Sequence, residues 1–431
     1  MGIRYLLSSL SRARGLNPAG VAAAMALAVA VSGPAAADQS LPPSLARWFD
    51  PATAPFIPIP EIDVDPNSGT TLGLMPTWLV TDDKGEIREI IAPAVDYNPY
   101  FGVGVHGSVY SYPSDDTQWS AVAGVKRHVE SDFDYEYITG RLRNTPLTFN
   151  GSVVYDRSGT PRFYGIGNNS PVYDETDYTL QQKYLQATVG WNLTHIWQIA
   201  YTLRIREVDV QPGTLVGIAS LQGRFGPILG VGSNHETLNR VEVIYDTRDD
   251  TAIPTRGGEY VIFGGAAARD GIFDSSLYSV TGFDARQVWS PTAGNTIAAH
   301  MALRYMPGAT DVPFWSLSNI GGDRSILADS QPLRGFGQGR FYGRNAFSTS
   351  VEYRKRVLDV DTASTHIDVE VTPFVDMGEV FAHSRDSPVA HLHHVGGVGF
   401  RGIAPPFVVG YVDVGYGSEG TAVFTGINYP F

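Results

Sequence analysis

The sequence has no cysteine in its 431 residues. That excludes disulfide scaffolds, thiolate zinc sites, iron–sulfur clusters and cysteine nucleophiles. Charge is also scarce: Asp, Glu, Lys and Arg make up 17% of the chain, against roughly 25% in ordinary soluble domains. What charge there is leans acidic. With 31 Lys and Arg against 44 Asp and Glu, the formal balance is -13, so the basic surface that nucleic acid requires is missing. Beyond residue 37 no apolar run approaches the ~18 residues of a membrane-spanning helix. There is no Gly-x-Ser-x-Gly elbow and no His-Glu-x-x-His. The expectation is a protein that is not an enzyme, with no catalytic residue, no metal centre and no cofactor.

Glycine and aromatics are plentiful, at 47 Gly, 22 Tyr and 20 Phe, and hydrophobic residues make up 43%. A chain poor in charge, rich in Gly and Tyr and lacking apolar helices suggests a transmembrane β-barrel. In such a barrel lipid-facing and lumen-facing residues alternate, so the average hides the membrane face.

Residues 1–37 read as a cleaved export signal. Arg4, Arg12 and Arg14 form a basic start, Ala19 to Val31 an apolar run, and Ala35-Ala36-Ala37 a small-residue cleavage site. Removal of three positive charges leaves 28 minus 44, or -16. Residues 38–56 are Pro-rich and read as a short periplasmic lead-in.

From residue 57 to 431 the pattern is period two. Leu185, Ala187, Val189, Trp191 and Leu193 share one face; Gln186, Thr188, Gly190 and Asn192 share the other. Ile199, Tyr201, Leu203 and Ile205 likewise oppose Ala200, Thr202, Arg204 and Arg206. Soluble β-sandwiches show the same alternation. The export signal, the number of strands, and aromatics near strand ends (Trp119, Trp191, Trp197, Trp289, Tyr97, Tyr100, Tyr110 and Tyr112) favour a membrane barrel. The expected fold is all-β, a transmembrane antiparallel barrel of about 16 strands with a long lumen-folded loop.

Four patches then follow in order. Asp246-Thr247-Arg248-Asp249 ends a strand in a charged turn. Leu333-Arg334-Gly335-Phe336 lies in a long Gly-rich loop. Phe374-Val375-Asp376-Met377-Gly378 and a terminal run through Asp413-Val414-Gly415 to Phe431 complete the set. In this order they resemble the Omp85 superfamily, in its bacterial surface antigen D15 (BamA/TamA-like) form. The resemblance is clearest over 238–431.

That resemblance implies a bacterial outer-membrane barrel engaged in protein or lipid translocation or insertion, or alternatively a passive or plugged pore. It implies that Arg334 sits on a lid loop inside the barrel and pairs with Glu352 and Asp376. The residue pattern agrees in facing: Ser348, Ser350, Glu352 and Arg354 share one side, and Asp376 is in step with His366, Asp368 and Glu370. The C-terminus, Gly426-x-x-Tyr429-x-Phe431, resembles the signal read by the barrel assembly machinery. Phe424 and Pro430 depart from it, and Pro430 is expected to weaken the seam between first and last strands.

Family members usually carry periplasmic POTRA modules. Only residues 38–56 precede the expected barrel after cleavage, too few for such a module, which counts against an independent insertase or secretion role and leaves two alternatives: a separate periplasmic partner that supplies that function, or a different role. Outer-membrane lipid is the other expected partner. His391, His393 and His394 read as a polar surface cluster beside a loop rather than as a metal site.

Overall fold

The computed structural model describes residues 56–431 apart from 85, 270–275, 310, 328, 362–365, 384 and 405–407. The expected export signal lies outside the described residues, as does most of the lead-in. No described helix is long and apolar enough to cross a membrane. Eighteen long antiparallel strands form one closed barrel. They are β1 (Ile57–Asp65), β2 (Gly69–Thr81), β3 (Ile87–Asn98), β4 (Gly102–Ser114), β5 (Thr117–Lys126), β6 (Ser131–Thr139), β7 (Leu147–Ser158), β8 (Thr176–Asn192) and β9 (Trp197–Pro212). There follow β10 (Gly232–Asp246), β11 (Gly257–Ala268), β12 (Ser276–Thr292), β13 (Asn295–Tyr305), β14 (Asn345–Asp361), β15 (His366–Phe381), β16 (His393–Ala404), β17 (Val408–Gly417) and β18 (Gly420–Ile427).

The count is two above the expected 16. The connections after β4, β12 and β17 are only residues 115–116, 293–294 and 418–419. Turns of two residues leave little to separate neighbouring strands in the sequence, and two merged pairs account for the difference. An even number still leaves both chain ends on one side of the barrel.

The alternation sorts as a membrane barrel requires. Leu185, Val189, Trp191, Ile199, Tyr201 and Ile205 are exposed on the outside. Thr202, Arg204, Glu236, Arg240, Glu242, Asp284, Glu352 and Asp376 are buried inside. Aromatics mark both rims: Tyr97 and Tyr100 at the end of β3, and Trp191, Trp197 and Trp289 at the opposite end, whereas Tyr110 and Tyr112, expected in the girdle, face inward because their positions on β4 share the face that packs with Ile87 and Ile90. The longest connections, after β7, β9, β13 and β15, all lie at the first rim; at the second most are short turns.

The longest connection joins β13 to β14 and folds back into the barrel as a lid. It carries a small sheet in which Ser318–Ile320 pairs parallel with Ser330–Gln331 and antiparallel with Phe341–Gly343. One flank packs in an apolar cluster with the loop after β7. Phe163 meets Phe314 at 5.1 Å and Tyr342 at 5.4 Å between ring centroids, and Tyr178 meets Phe314 at 5.2 Å. Full burial of each such ring is worth about 1.5–3 kcal/mol. The lid is therefore seated as a packed element rather than as a tethered chain.

Candidate functional site

Arg334 lies on the lid with no exposed surface. Its Nε and Nη2 donate to the two oxygens of Asp376 on β15 at 2.9 and 2.8 Å, and its backbone N–H donates to the same carboxylate at 3.0 Å. Nη1 donates to Glu352 on β14 at 2.5 Å and to Asp413 on β17 at 2.9 Å. The guanidinium also lies 3.6 Å from the centroid of the Phe374 ring. This is the bidentate fork that a planar cation makes with a carboxylate, extended to two further acids.

The strand registers explain the convergence. Asp376 stands opposite Ser350, and Glu352 opposite Phe374. The two acids are thus diagonal neighbours on one lumen face, within reach of one side chain. Asp413 faces the lumen two strands further on, opposite Gly399. Two more arginines complete the group. Arg401 on β16 donates to Asp413 at 2.5 Å and to Glu352 at 3.3 Å, and Arg354 on β14 donates to Glu352 at 2.9 Å. Three cations and three anions, none more than 1% exposed, form a neutral buried set.

Glycines make room for it. A Cβ at Gly415 would lie 2.0 Å from the Arg334 carbonyl oxygen, and one at Gly335 would lie 2.6 Å from the Gly417 nitrogen. The lid backbone therefore presses directly on β17. Leu333 and Phe336, which flank the motif, are buried with Ile320, Phe341, Phe374, Val380 and Val395.

Two further attachments hold the lid. Arg204 on β9 donates to Asp329 of the lid at 2.6 Å, and Arg304 on β13 donates to Ser318 Oγ at 2.7 Å. Toward the long-loop rim, Arg340 donates to Glu419 at 2.6 Å and to the Ser170 carbonyl at 2.8 Å, with its guanidinium 4.0 Å from the Tyr164 ring centroid. The lid, the loop after β7 and the β17–β18 turn meet there.

The charged turn after β10 is a separate feature. Arg248 grips Asp246 at 3.0 and 2.8 Å and Glu259 at 2.8 Å, while Asp249 accepts from the Thr255 and Arg256 N–H groups at 2.9 and 3.1 Å. It shapes a turn at the opposite rim and does not join the lid cluster. Of the C-terminal signal residues, Gly426 lies on β18 opposite Tyr411. Tyr429 and Phe431 lie beyond the strand, which ends at Ile427, and turn into the lumen. Pro430 is therefore outside the last strand rather than within it. Phe424 faces inward beside Tyr411 and Ala422.

The three histidines diverge. His393 stacks on Phe341 at 3.9 Å, with its Nε2 2.9 Å from the Asn168 carbonyl oxygen. The His391 N–H donates to Glu379, and His394 is exposed. Asp284, His300 and Ser325 come together in the lumen, but His300 Nε2 faces both Asp284 at 3.0 Å and Ser325 at 3.5 Å. One nitrogen cannot both hold the acid and take the serine proton, so this is not the relay of a hydrolase.

Sequence reasoning singled out Arg334, Glu352 and Asp376, and the structure brings these three together. It left out Asp413 and Arg401 as members of the set. For Asp413 the signal is present in Asp413-Val414-Gly415, which repeats the Asp-x-Gly of Asp376-Met377-Gly378.

A closed antiparallel barrel with an apolar belt, aromatic rims and an arginine-pinned internal lid defines an outer-membrane barrel with a lumenal plug. The Omp85 superfamily domain matches residues 117–400, well over half of the chain, and the protein belongs to that superfamily. No curated protein sequence matches it. Among solved structures, BamA from Haemophilus ducreyi lacking POTRA domains 1-3 is similar at 13% identity and a TM-score of 0.49, covering 86% of this chain and 74% of that one. CdiB from Escherichia coli follows at 12% identity and 0.45, covering 86% of this chain and 62% of that one. Family membership implies the bacterial outer membrane as its location.

Proposed function

We propose that this barrel translocates protein or lipid across the outer membrane, or inserts it there, with the lid as the moving part and Arg334 as its lock. The observation that carries the reading is the Arg334 cage. One lid side chain ties Glu352, Asp376 and Asp413 on three strands, so the position of the lid and the spacing of those strands are coupled. In this reading the barrel assembly machinery acts on the chain during biogenesis, outer-membrane lipid surrounds it, and a separate periplasmic partner delivers substrate. The protein performs no bond chemistry and needs no cofactor.

The second reading is a plugged structural barrel. It is supported by the neutrality of the buried cluster, which leaves no uncompensated charge to drive the lid out.

Planar-bilayer conductance of the refolded chain tests the lid. The unmodified protein should conduct little, and Arg334→Ala should raise conductance several-fold; a steady large pore in the unmodified protein would overturn the lid model. Reconstitution in liposomes with an unfolded client barrel separates the two readings. Acceleration of client folding over protein-free liposomes supports insertion, and no acceleration removes it.

A further inference from the structure

The last four residues do something that neither the lid nor the strands account for. At Asn428 the backbone takes φ +73°, a left-handed conformation that Asn tolerates better than most residues, and the chain leaves the barrel wall. The Asn428 N–H makes a final bond to the Val409 carbonyl at 2.7 Å. Beyond it, the Tyr429 ring lies under the Arg354 guanidinium, 3.6 Å from centre to centre, and its hydroxyl donates to Glu370 at 3.4 Å. The Pro430 carbonyl accepts the lid's Ser325 N–H at 3.2 Å. The Phe431 ring stacks on His300 of β13 at 5.1 Å with planes 19° apart. Arg334 and Arg354 each stand 5.9 Å from that ring.

The seam between β1 and β18 is correspondingly thin. It holds one residue pair, Val64 with Val423, where β17 and β18 pair from Gly410–Ile427 to Gly417–Gly420. Continuing that register would set Tyr429 opposite Pro58, since 64 plus 423 equals 58 plus 429. Pro58, Pro60 and Pro430 have no N–H to give a ladder. An extended tail would gain little at the seam. In the lumen it gains a cation–π contact, a ring stack and a backbone hydrogen bond.

We infer that residues 428–431 form an internal latch that joins the closing strand to the lid. The tail touches the lid through Ser325 and the lock through Arg354, the partner of Glu352. Displacement of the lid therefore pulls on β18 at its thinnest junction, and release of the tail removes one of the lid's anchors. The latch is independent of what the barrel carries, and its test does not use transport.

The cysteine-free sequence makes the test direct. In full-length protein refolded into detergent micelles, Tyr429→Cys, which keeps the Phe431 stack on His300, is reacted with a membrane-impermeant maleimide and compared with Asp83→Cys, an exposed turn position. The expected rate at 429 is about tenfold slower, as for a site that reacts only on local opening. Adding His300→Leu, which removes the stacking partner of Phe431, should bring it toward the rate at 83 and should speed trypsin cleavage of the lid at Arg324. Phe431→Ala serves the same purpose if the His300→Leu variant does not refold. Equal labelling at 429 and 83, or faster labelling with unchanged lid cleavage, would overturn the latch.

Discussion

The two sides of the lumen are built on different principles. On the side of β9 to β17, nearly every buried charge has an opposite partner, and the lid fills the space between them. Arg334 and Asp376 stand 2.8 Å apart, Arg206 and Glu236 2.9 Å, Arg240 and Glu242 2.7 Å, and Arg286 and Asp284 3.2 Å. On the side of β1 to β7 the inner wall carries Glu61, Asp63, Asp132, Asp134, Glu136 and Asp156; the basic groups among them, Lys126 and His106, sit against Asp96, which is buried, with Lys126 at 2.9 Å. Asp132 even stands directly opposite Asp156, an arrangement that costs rather than stabilises. Here a cavity of about 780 Å³ remains, lined by Asp132, Asp134, Glu136 and Asp156 on one wall and by Arg248, Arg286 and Arg324 on the other.

The difference is one of solvation. Carboxylates tolerate like-charged neighbours where water reaches them, and need a cation where it does not. The lid excludes water from one side only. The charges there are bound to be paired, whereas the charges on the other side are free to serve as a wet wall.

This contrast makes ordered predictions for stability. The largest effect belongs to Arg334→Ala. Removing one partner of a buried ionic set leaves uncompensated charge and costs roughly 3–5 kcal/mol, to be read as a lower midpoint in urea unfolding from lipid or detergent. A smaller loss, about 1–3 kcal/mol, is expected for Gly415→Ala, whose added methyl meets the lid backbone without removing a charge. Slowed unfolding of that variant would contradict the close approach seen there. The smallest belongs to the wet wall. Asp134→Asn should change stability by no more than about 0.5 kcal/mol, as at other solvated positions. A loss comparable with that of Arg334→Ala would abolish the distinction between the two sides.

The dry side was the more legible in the sequence. Leu333-Arg334-Gly335-Phe336 and the acids at 352 and 376 sit in local patterns whose facing follows from period two. Asp413 and Arg401 joined the same cluster unseen, because the partner of a side chain two strands away depends on barrel curvature and lid height, which alternation does not encode. The strand count expected from the sequence is short by two for a similar reason: turns as brief as Asp115-Asp116 leave few residues to separate two strands. Alternation continues through Tyr429 and Phe431 and so predicts a strand to the last residue. What turns it inward is the backbone at Asn428 and the missing donors of three prolines, which act through register rather than through hydrophobic pattern.

The six-charge cluster also constrains the order in which the molecule can be made. Its members come from the lid and from β14, β15, β16 and β17, and each is costly to bury before its partners arrive. A barrel that closed first would have to admit the lid later, carrying a bare guanidinium past apolar packing. A lid that settled first would have no acids to meet. The cheapest route brings the loop and the last strands together in one step, with the thin junction between β1 and β18 left until the end. The salt-bridge cage thus acts as a checkpoint on assembly: the ring can be sealed at low cost only after its plug is in place.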